Sequence, residues 1–419
     1  MNNRKLYKGD LENIIRGACL LSSGGGGTYS SGKKLLEAFQ KGQYYNQNYV
    51  DYVDVDELRG SDTDCGIVVA YMGAPEAIAN LEHPEAGVNA AEKMKALMEK
   101  DGQRLAYIVP VEIGALSSIV ACTVAAKLGI PVINGDGAGR AVPELTMTTF
   151  AGSHVPTHPA ILANDKGLAI RLDVVNDAAI VEAVARPTIS LSEFGQQAGL
   201  AMWIMSRVKI EEVVKITDTL IACKKVGELI EKYQTGTEIN VDDLLDCINA
   251  SLNAEVKAYE LCSGTLCCAE NVTEGGFDHG KVIIRGEDIY KGKTFTILFQ
   301  NENLLAWDST SGTPLAMAPD SIAFVVHDDQ VVYSNGDLIG ENNKLKKSLE
   351  GRKVSVIGIP AHSELRDDEL KKSKLRAKRL QSTSDKNGEE IRHSFELALE
   401  KFGYYGAYVP IEDLQTDGK

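Results

Sequence analysis

The chain has 419 residues, 44% of them hydrophobic and 25% charged, with a formal net charge of -15. That length exceeds one small core and predicts two or three domains of an ordinary globular protein. The acidic balance excludes nucleic acid and an anionic membrane as main partners, since both require clustered positive charge.

The opening MNNRKLYKGDLEN has no apolar run behind its basic residues, and no later run reaches the roughly 20 residues of a membrane span. The eight cysteines are scattered and form no CxxC pair, which suits reduced thiols rather than a disulfide framework. A cytoplasmic protein is expected.

Taken in chain order, Asp10 caps a helix whose apolar residues Leu11, Ile14, Ile15, Ala18 and Leu21 recur at helical spacing. SSGGGGTYSSGKK (22–34) follows, then a second helix in KKLLEAFQKG (33–42). From there strands alternate with helices. YVDYVDV (49–55), GIVVAYM (66–72), LAYIVP (105–110) and IPVIN (130–134) read as strands. NAAEKMKALMEK (89–100) and SSIVACTVAAKLG (117–129) read as helices. The alternation predicts a mostly parallel sheet, and loops leaving the carboxyl ends of such strands face one crevice. Three loops obey that rule: MGAPE (72–76), VEIGALSS (111–118) and INGDGAGRAVPEL (133–145). They place Glu76, Glu112, Asp136, Arg140 and Glu144 on one sheet edge.

Residues 197–260 read as mostly helical, with helices in QQAGLAMWIMSRV, DTLIACKKVGELIEKY and VDDLLDCINASLNAEVKAYEL. Beyond them the texture becomes short β-rich pieces: KVIIRG, TFTILFQ, NLLAWDS, SIAFVVHD, QVVYSN and KVSVIGIP. The expected class is therefore α/β, an N-terminal mostly parallel sheet with flanking helices plus a β-rich C-terminal domain. The boundaries are set at 1–175, 176–260 and 261–419, with a charged insertion at 364–393.

Four candidate chemistries follow. GTYSSGKK (27–34) fits G-x-x-x-x-G-K but carries Lys34 where a P-loop needs Ser or Thr, and it follows a helix. No G-x-G-x-x-G stands at a strand-to-helix turn either, so no nucleotide cofactor is expected. Gly24, Gly25, Gly26 and Gly27 then read either as a backbone cradle for a small molecule or as a tight helix crossing. The strand-edge carboxylates Glu112, Asp136 and Glu144 are candidate catalytic groups, since grouped carboxyls shift one another's pKa and activate water. Arg140 is a candidate anchor for an anionic substrate, or an ion-pair partner. Asn301, Glu302, Asn303 and Asp320 can reach the crevice from the second domain or serve local turns.

In AGSHVPTHPA, His154 and His158 are four apart, as two metal ligands would be, although Pro156 and Pro159 forbid a regular helix there. His83 and His279 are isolated, and Cys267–Cys268 has no base signature beside it.

SSGGGGTYSSGKK, YMGAPE, VEIGA, NGDGAGRAVPEL, GGFDHGKV, FQNENLLA, APDSI and FGYYGAYVPIEDL together resemble the S-methyl thiohydantoin desulfurase family. The matches run in the family's order over almost the whole chain. The resemblance implies a hydrolytic enzyme that converts an S-alkylated thiohydantoin to hydantoin and a thiol, zinc-assisted. A small-molecule substrate and a homo-oligomeric state are expected. Asn134 stands where the family pattern has an aspartate, and Ser22–Ser23 replace its usual Gly-Thr. The alternatives are a hydantoinase- or oxoprolinase-type cyclic-amide hydrolase or subunit, and a non-catalytic sensor of a small cyclic metabolite.

Overall fold

The computed structural model describes residues 4–41, 48–73, 84–153, 155–173, 177–252, 257–367, 369, 371 and 395–416. Glu76, His83 and His154, and most of the charged 364–393 segment, lie outside them.

The first sheet has eight strands. They are β1 (Arg4–Tyr7), β2 (Tyr49–Val53), β3 (Asp64–Gly73), β4 (Arg104–Pro110), β5 (Val132–Ile133), β7 (Ala160–Ala163), β8 (Ala169–Leu172) and β9 (Gln197–Ser206). Between them in sequence lies β6 (Gly135–Asp136), which pairs with β10 (Ile216–Thr217) as a separate two-stranded ribbon. The order is β1-β2-β5-β4-β3-β9-β7-β8. The four strands expected from the alternation form its parallel centre. The other strands add antiparallel to either side.

Helices Lys8–Leu21, Ala86–Lys100, Ser117–Leu128 and Thr219–Gln234 share one hydrophobic core with β2, β3 and β4. A separate core lies around Phe150, Trp203 and the Ala178–Ile189 helix. The first helix begins before the expected Asp10. That residue instead accepts the Tyr7 N–H at 2.8 Å from the helix's first turn, a capping-box contact.

The stretch 241–261, expected as one helix, holds a helix at Val241–Leu252 and, from Tyr259, the start of a strand. Gln196–Val208 reads as a helix, yet Gln197–Ser206 is the antiparallel partner of β3. Most of its residues are buried, so its apolar run shows no alternation, and periodicity cannot separate such a strand from a buried helix.

The C-terminal unit is a seven-stranded antiparallel half-barrel. Its strands are β11 (Tyr259–Glu274), β12 (Phe277–Gly286), β13 (Thr294–Gln300), β14 (Glu302–Asp308), β15 (Thr313–Met317), β16 (Ser321–Val326) and β17 (Lys353–Ile359). The expected strand QVVYSN makes only an isolated bridge from Val332 to Val325, because Val331 adopts a left-handed φ of 66° that breaks the extended run. Among the described residues no helix is long and apolar enough to cross a membrane.

Candidate functional site

Where the parallel strands end, their loops converge as expected. Met72 and Gly73, Val111 and Glu112, and Val142, Pro143 and Leu145 line one cavity of about 90 Å³. Gly26 and Gly27 form another wall, Glu182 and Arg186 enter from the Ala178–Ile189 helix, and Asn301 and Glu302 come from the half-barrel. Drug-sized ligands occupy roughly 300–1,000 Å³. This cavity suits a small ring.

Glu112 follows β4 and is held at both oxygens. Oε1 accepts the Ser117 hydroxyl at 3.0 Å and Oε2 the Val142 N–H at 2.8 Å. Glu302 opens β14 and is 4% exposed. Its Oε1 accepts the Gly26 N–H at 3.3 Å, while Oε2 has no partner among the described residues. Asn301 aims it: this residue adopts a left-handed φ of 57°, and exchanges hydrogen bonds with Asp278 at 2.8 Å through its N–H and its side-chain oxygen.

Burial first, and then the neighbouring Glu302, push the Glu112 carboxyl well above the usual range. Burial raises Glu302 as well, against the pull of Arg140 and the Gly26 N–H. Two buried carboxyls so coupled titrate as a unit and keep a proton at neutral pH.

The glycine run has a specific reason. A Cβ on Gly25 would lie 2.0 Å from Glu302 Oε1, and one on Gly26 would lie 2.5 Å from the Gly114 Cα. A Cβ on Gly24 would press on Asn303 and Asn335 at 2.7–2.9 Å, and one on Gly27 on the Leu116 Cβ at 2.3 Å. The amide expected to cradle a ligand's carboxylate, that of Gly26, is turned to the protein's own Glu302.

Other expected site residues lie elsewhere. Arg140 is 1% exposed and donates to the carbonyls of Ala141 (2.8 Å), Pro319 (2.7 Å), Asp320 (2.9 Å) and Asn303 (3.2 Å). It bolts the two units together and does not line the cavity. Asp136 is fully buried and folds its own turn, accepting the Ala138 and Gly139 N–H groups at 2.7 and 2.6 Å. Burial lifts its carboxyl to about 6 despite those bonds. Glu144 faces Lys401 at 3.5 Å.

Asn134 caps the Thr219–Gln234 helix. Its Oδ1 accepts the Leu220 and Ile221 N–H groups at 3.1 and 3.3 Å, while Nδ2 donates to Asp54 (2.7 Å) and Asp218 (3.1 Å). An aspartate would lose both donors, so the departure from the family pattern is matched to two neighbouring carboxylates.

Two cavity residues escaped the sequence reading. Glu182 accepts the Leu145 N–H at 3.0 Å and pairs with Arg186 at 2.5 Å. Arg186 also donates to the carbonyls of Gly276 (2.8 Å) and Pro143 (3.1 Å), and lies 3.6 Å from the Phe277 ring centre. Their four-residue spacing was the only signal, and surface helices carry the same spacing for ordinary ion pairs.

Of the two residues expected to hold zinc, His154 lies outside the described residues. His158 is exposed, and among the described residues no three His, Cys, Asp or Glu side chains are grouped to hold a metal ion. The donors at the cavity are carboxyls engaged with N–H, hydroxyl and guanidinium groups. A wider cleft of about 300 Å³ borders the same loop at Gly139, with His362 and Arg366 on its wall. Its arginine is already paired with Glu412 at 2.5 Å.

Comparison with known proteins agrees with this architecture. Family models described as S-Me-THD-like, N-terminal domain and S-Me-THD-like, C-terminal domain match residues 9–174 and 175–410. The X-ray structure of a protein from Chromobacterium violaceum is 38% identical and superimposes with a TM-score of 0.79. The match covers 97% of this chain and 100% of that one. No curated protein matches.

Proposed function

The chain belongs to the S-Me-THD-like family, and on that premise we propose that the Glu112–Glu302 cavity hydrolyses the carbon–sulfur bond of a small S-alkylated thiohydantoin. The observation that carries this reading is the pair itself: two buried, coupled carboxyls from different units in a cavity of ring size. Such a pair holds an acid and a base side by side at neutral pH.

The carbon between the ring nitrogens is amidine-like and carries the thiolate leaving group. Glu302 in its protonated form gives its proton to the ring nitrogen, making that carbon more electrophilic. Ionised Glu112 takes a proton from water as the new C–O bond forms. The C–S bond then breaks, its electron pair leaves with sulfur, and Glu112 returns its proton to the thiolate. The C–OH proton passes to Glu302 as the carbonyl forms. One water is consumed, one proton ends on nitrogen and one on sulfur, and both glutamates return to their starting states. No step runs through a metal.

The test is thiol release from S-methyl thiohydantoin, followed with a thiol-reactive dye alongside chromatography of the ring product. The wild type is expected to release methanethiol and leave the hydantoin ring closed. Glu112→Gln and Glu302→Gln are each expected to slow turnover by roughly 10²–10⁴-fold, the usual worth of general acid–base catalysis. Both variants should keep a folded circular-dichroism spectrum. Ring-opened product without thiol would favour a cyclic-amide hydrolase instead. Undiminished turnover in both folded variants would sink the assignment.

A further inference from the structure

Ser117 lines the cavity and takes no part in the proposed steps. It is 6% exposed and opens the Ser117–Leu128 helix. Its hydroxyl has one proton to donate and two acceptors in reach, Glu112 Oε1 at 3.0 Å and the Gly26 carbonyl at 3.4 Å. That carbonyl already accepts the Leu116 and Ser117 N–H groups at 3.0 and 3.2 Å, which occupies both of its lone pairs. The hydroxyl proton therefore belongs to Glu112. Gly26 also donates its N–H to Glu302 Oε1 at 3.3 Å, so one glycine seats both the serine and the second glutamate.

We infer that the Ser117 hydroxyl is a positioning group that decides which glutamate carries the shared proton, holding Glu112 ionised as the base and leaving Glu302 protonated as the acid. The inference rests on the proposed reading of the pair. Burial disfavours charge on both members, so their neighbours decide between them. Arg140, the Gly26 N–H and Arg186 favour charge on Glu302. On Glu112, Glu302 and Asp136 oppose charge, while the Val142 N–H and the Ser117 hydroxyl favour it. Arg140 faces Glu112 as well, and Glu182 on the cavity wall is paired with Arg186. The Val142 donor is backbone, and the serine hydroxyl is the side-chain donor that tips the balance. A hydrogen bond to a charged group is worth roughly 10–100-fold in such an equilibrium. Without it the proton moves to Glu112 and the charge to Glu302, and water loses its base.

Infrared difference titration of the full-length protein tests this without turnover. In a Glu302→Gln background Glu112 is the member of the pair left to titrate. Its protonated-carboxyl band is assigned by subtracting the spectrum of the variant that also carries Glu112→Gln. Adding Ser117→Ala should raise the midpoint of that band by about one pH unit or more, since the lost donor favoured the charged form. Ser117→Thr keeps the hydroxyl and should keep the midpoint. In the otherwise native chain, Ser117→Ala should lower thiol release at neutral pH by roughly tenfold and displace the pH–rate profile to higher pH. A serine with only a structural role would leave both titration and profile in place, and that result would overturn the inference. So would loss of turnover at every pH with an unmoved midpoint, which makes Ser117 itself a reacting group. The two readings fail separately. No thiol release from the wild type, with a midpoint still set by Ser117, defeats only the desulfurase reading. Thiol release with an unmoved midpoint defeats only this one.

Discussion

Replacing Gly25 with alanine adds one methyl group where the backbone tolerates it and the surroundings do not. Gly25 is the member of the glycine run that does not require a positive φ; its neighbours Gly24, Gly26 and Gly27 adopt φ of 81°, 65° and 87°. The new Cβ would fall 2.0 Å from Glu302 Oε1, 2.4 Å from its Cδ and 2.5 Å from its Cγ. Carbon–oxygen contacts settle near 3.3–3.6 Å, so the carboxylate must retreat by more than an ångström. The end of a glutamate side chain can move that far at moderate expense, within the roughly 1–3 kcal/mol of an overpacked site. The alignment that the proposed mechanism asks of Glu302 cannot survive the move. Gly25→Ala is expected to lose roughly 10²–10⁴-fold in turnover, as deletion of a general acid does, while unfolding cooperatively at a modestly lower temperature. Gly26→Ala is the contrast: its Cβ meets the Gly114 backbone at 2.5 Å, so folding itself should suffer. Thiol-release kinetics with thermal melts distinguish the two. A folded Gly25→Ala protein turning over within threefold of wild type would refute the placement of Glu302 at the reacting centre.

Three further outcomes are expected. Arg140→Lys strands several buried carbonyls, each costing about 1–3 kcal/mol, so urea denaturation should show a loss of roughly 3 kcal/mol or more. Asp136→Asn keeps the acceptor oxygen for the Ala138 and Gly139 N–H groups and should leave turnover nearly intact. The wild-type Asp136 carboxyl titrates near 6 in the folded chain, above its unfolded value. The stability of its protonated form is therefore full at low pH and lost as pH rises through about 6. The variant does not titrate, so its stability relative to wild type should climb by about 2–3 kcal/mol between roughly pH 4 and 7. Parallel stability curves would contradict that. Asn134→Asp places a third carboxylate between Asp54 and Asp218. It should destabilise the fold by about 1–3 kcal/mol at pH 7 and by less at pH 4, read from urea melts at both.

The crevice was legible because it follows from alternation: strand, loop, helix, repeated, sends each loop to the same sheet edge. That logic brought Glu112, Val142 and Gly73 together from segments far apart in the chain. It failed where the information is not local. Gln197–Ser206 looked helical because a strand buried between two neighbours has no polar face to betray its period. Arg140 looked like a ligand group because a charged residue in a glycine-rich loop usually faces solvent, and nothing nearby in sequence announces carbonyls 163 to 180 residues away. Glu302 stood in plain view within QNEN, yet its importance comes from Gly26 and Glu112, which no spacing rule connects to it.

The site is a joint between the two units. Glu112 belongs to the sheet, Glu302 to the half-barrel, and the glycine run is what lets them approach. Ser23 holds the seam, donating its hydroxyl to the Asn303 carbonyl at 3.1 Å and accepting the Ile322 N–H at 3.0 Å. Its own carbonyl accepts the Asn303 N–H at 2.7 Å, and that of Gly24 accepts the Asn335 N–H at 2.8 Å. Arg140 clamps the same seam from the other side through Asn303 and Pro319. INGDGAGRAVPEL therefore touches the proposed chemistry at one remove. Its arginine fixes the half-barrel, and its Val142 N–H fixes Glu112, so a single loop holds both members of the proposed acid–base pair. In the proposed mechanism the two carboxyls act together only while their separation is held, and that separation is a property of the seam rather than of either unit.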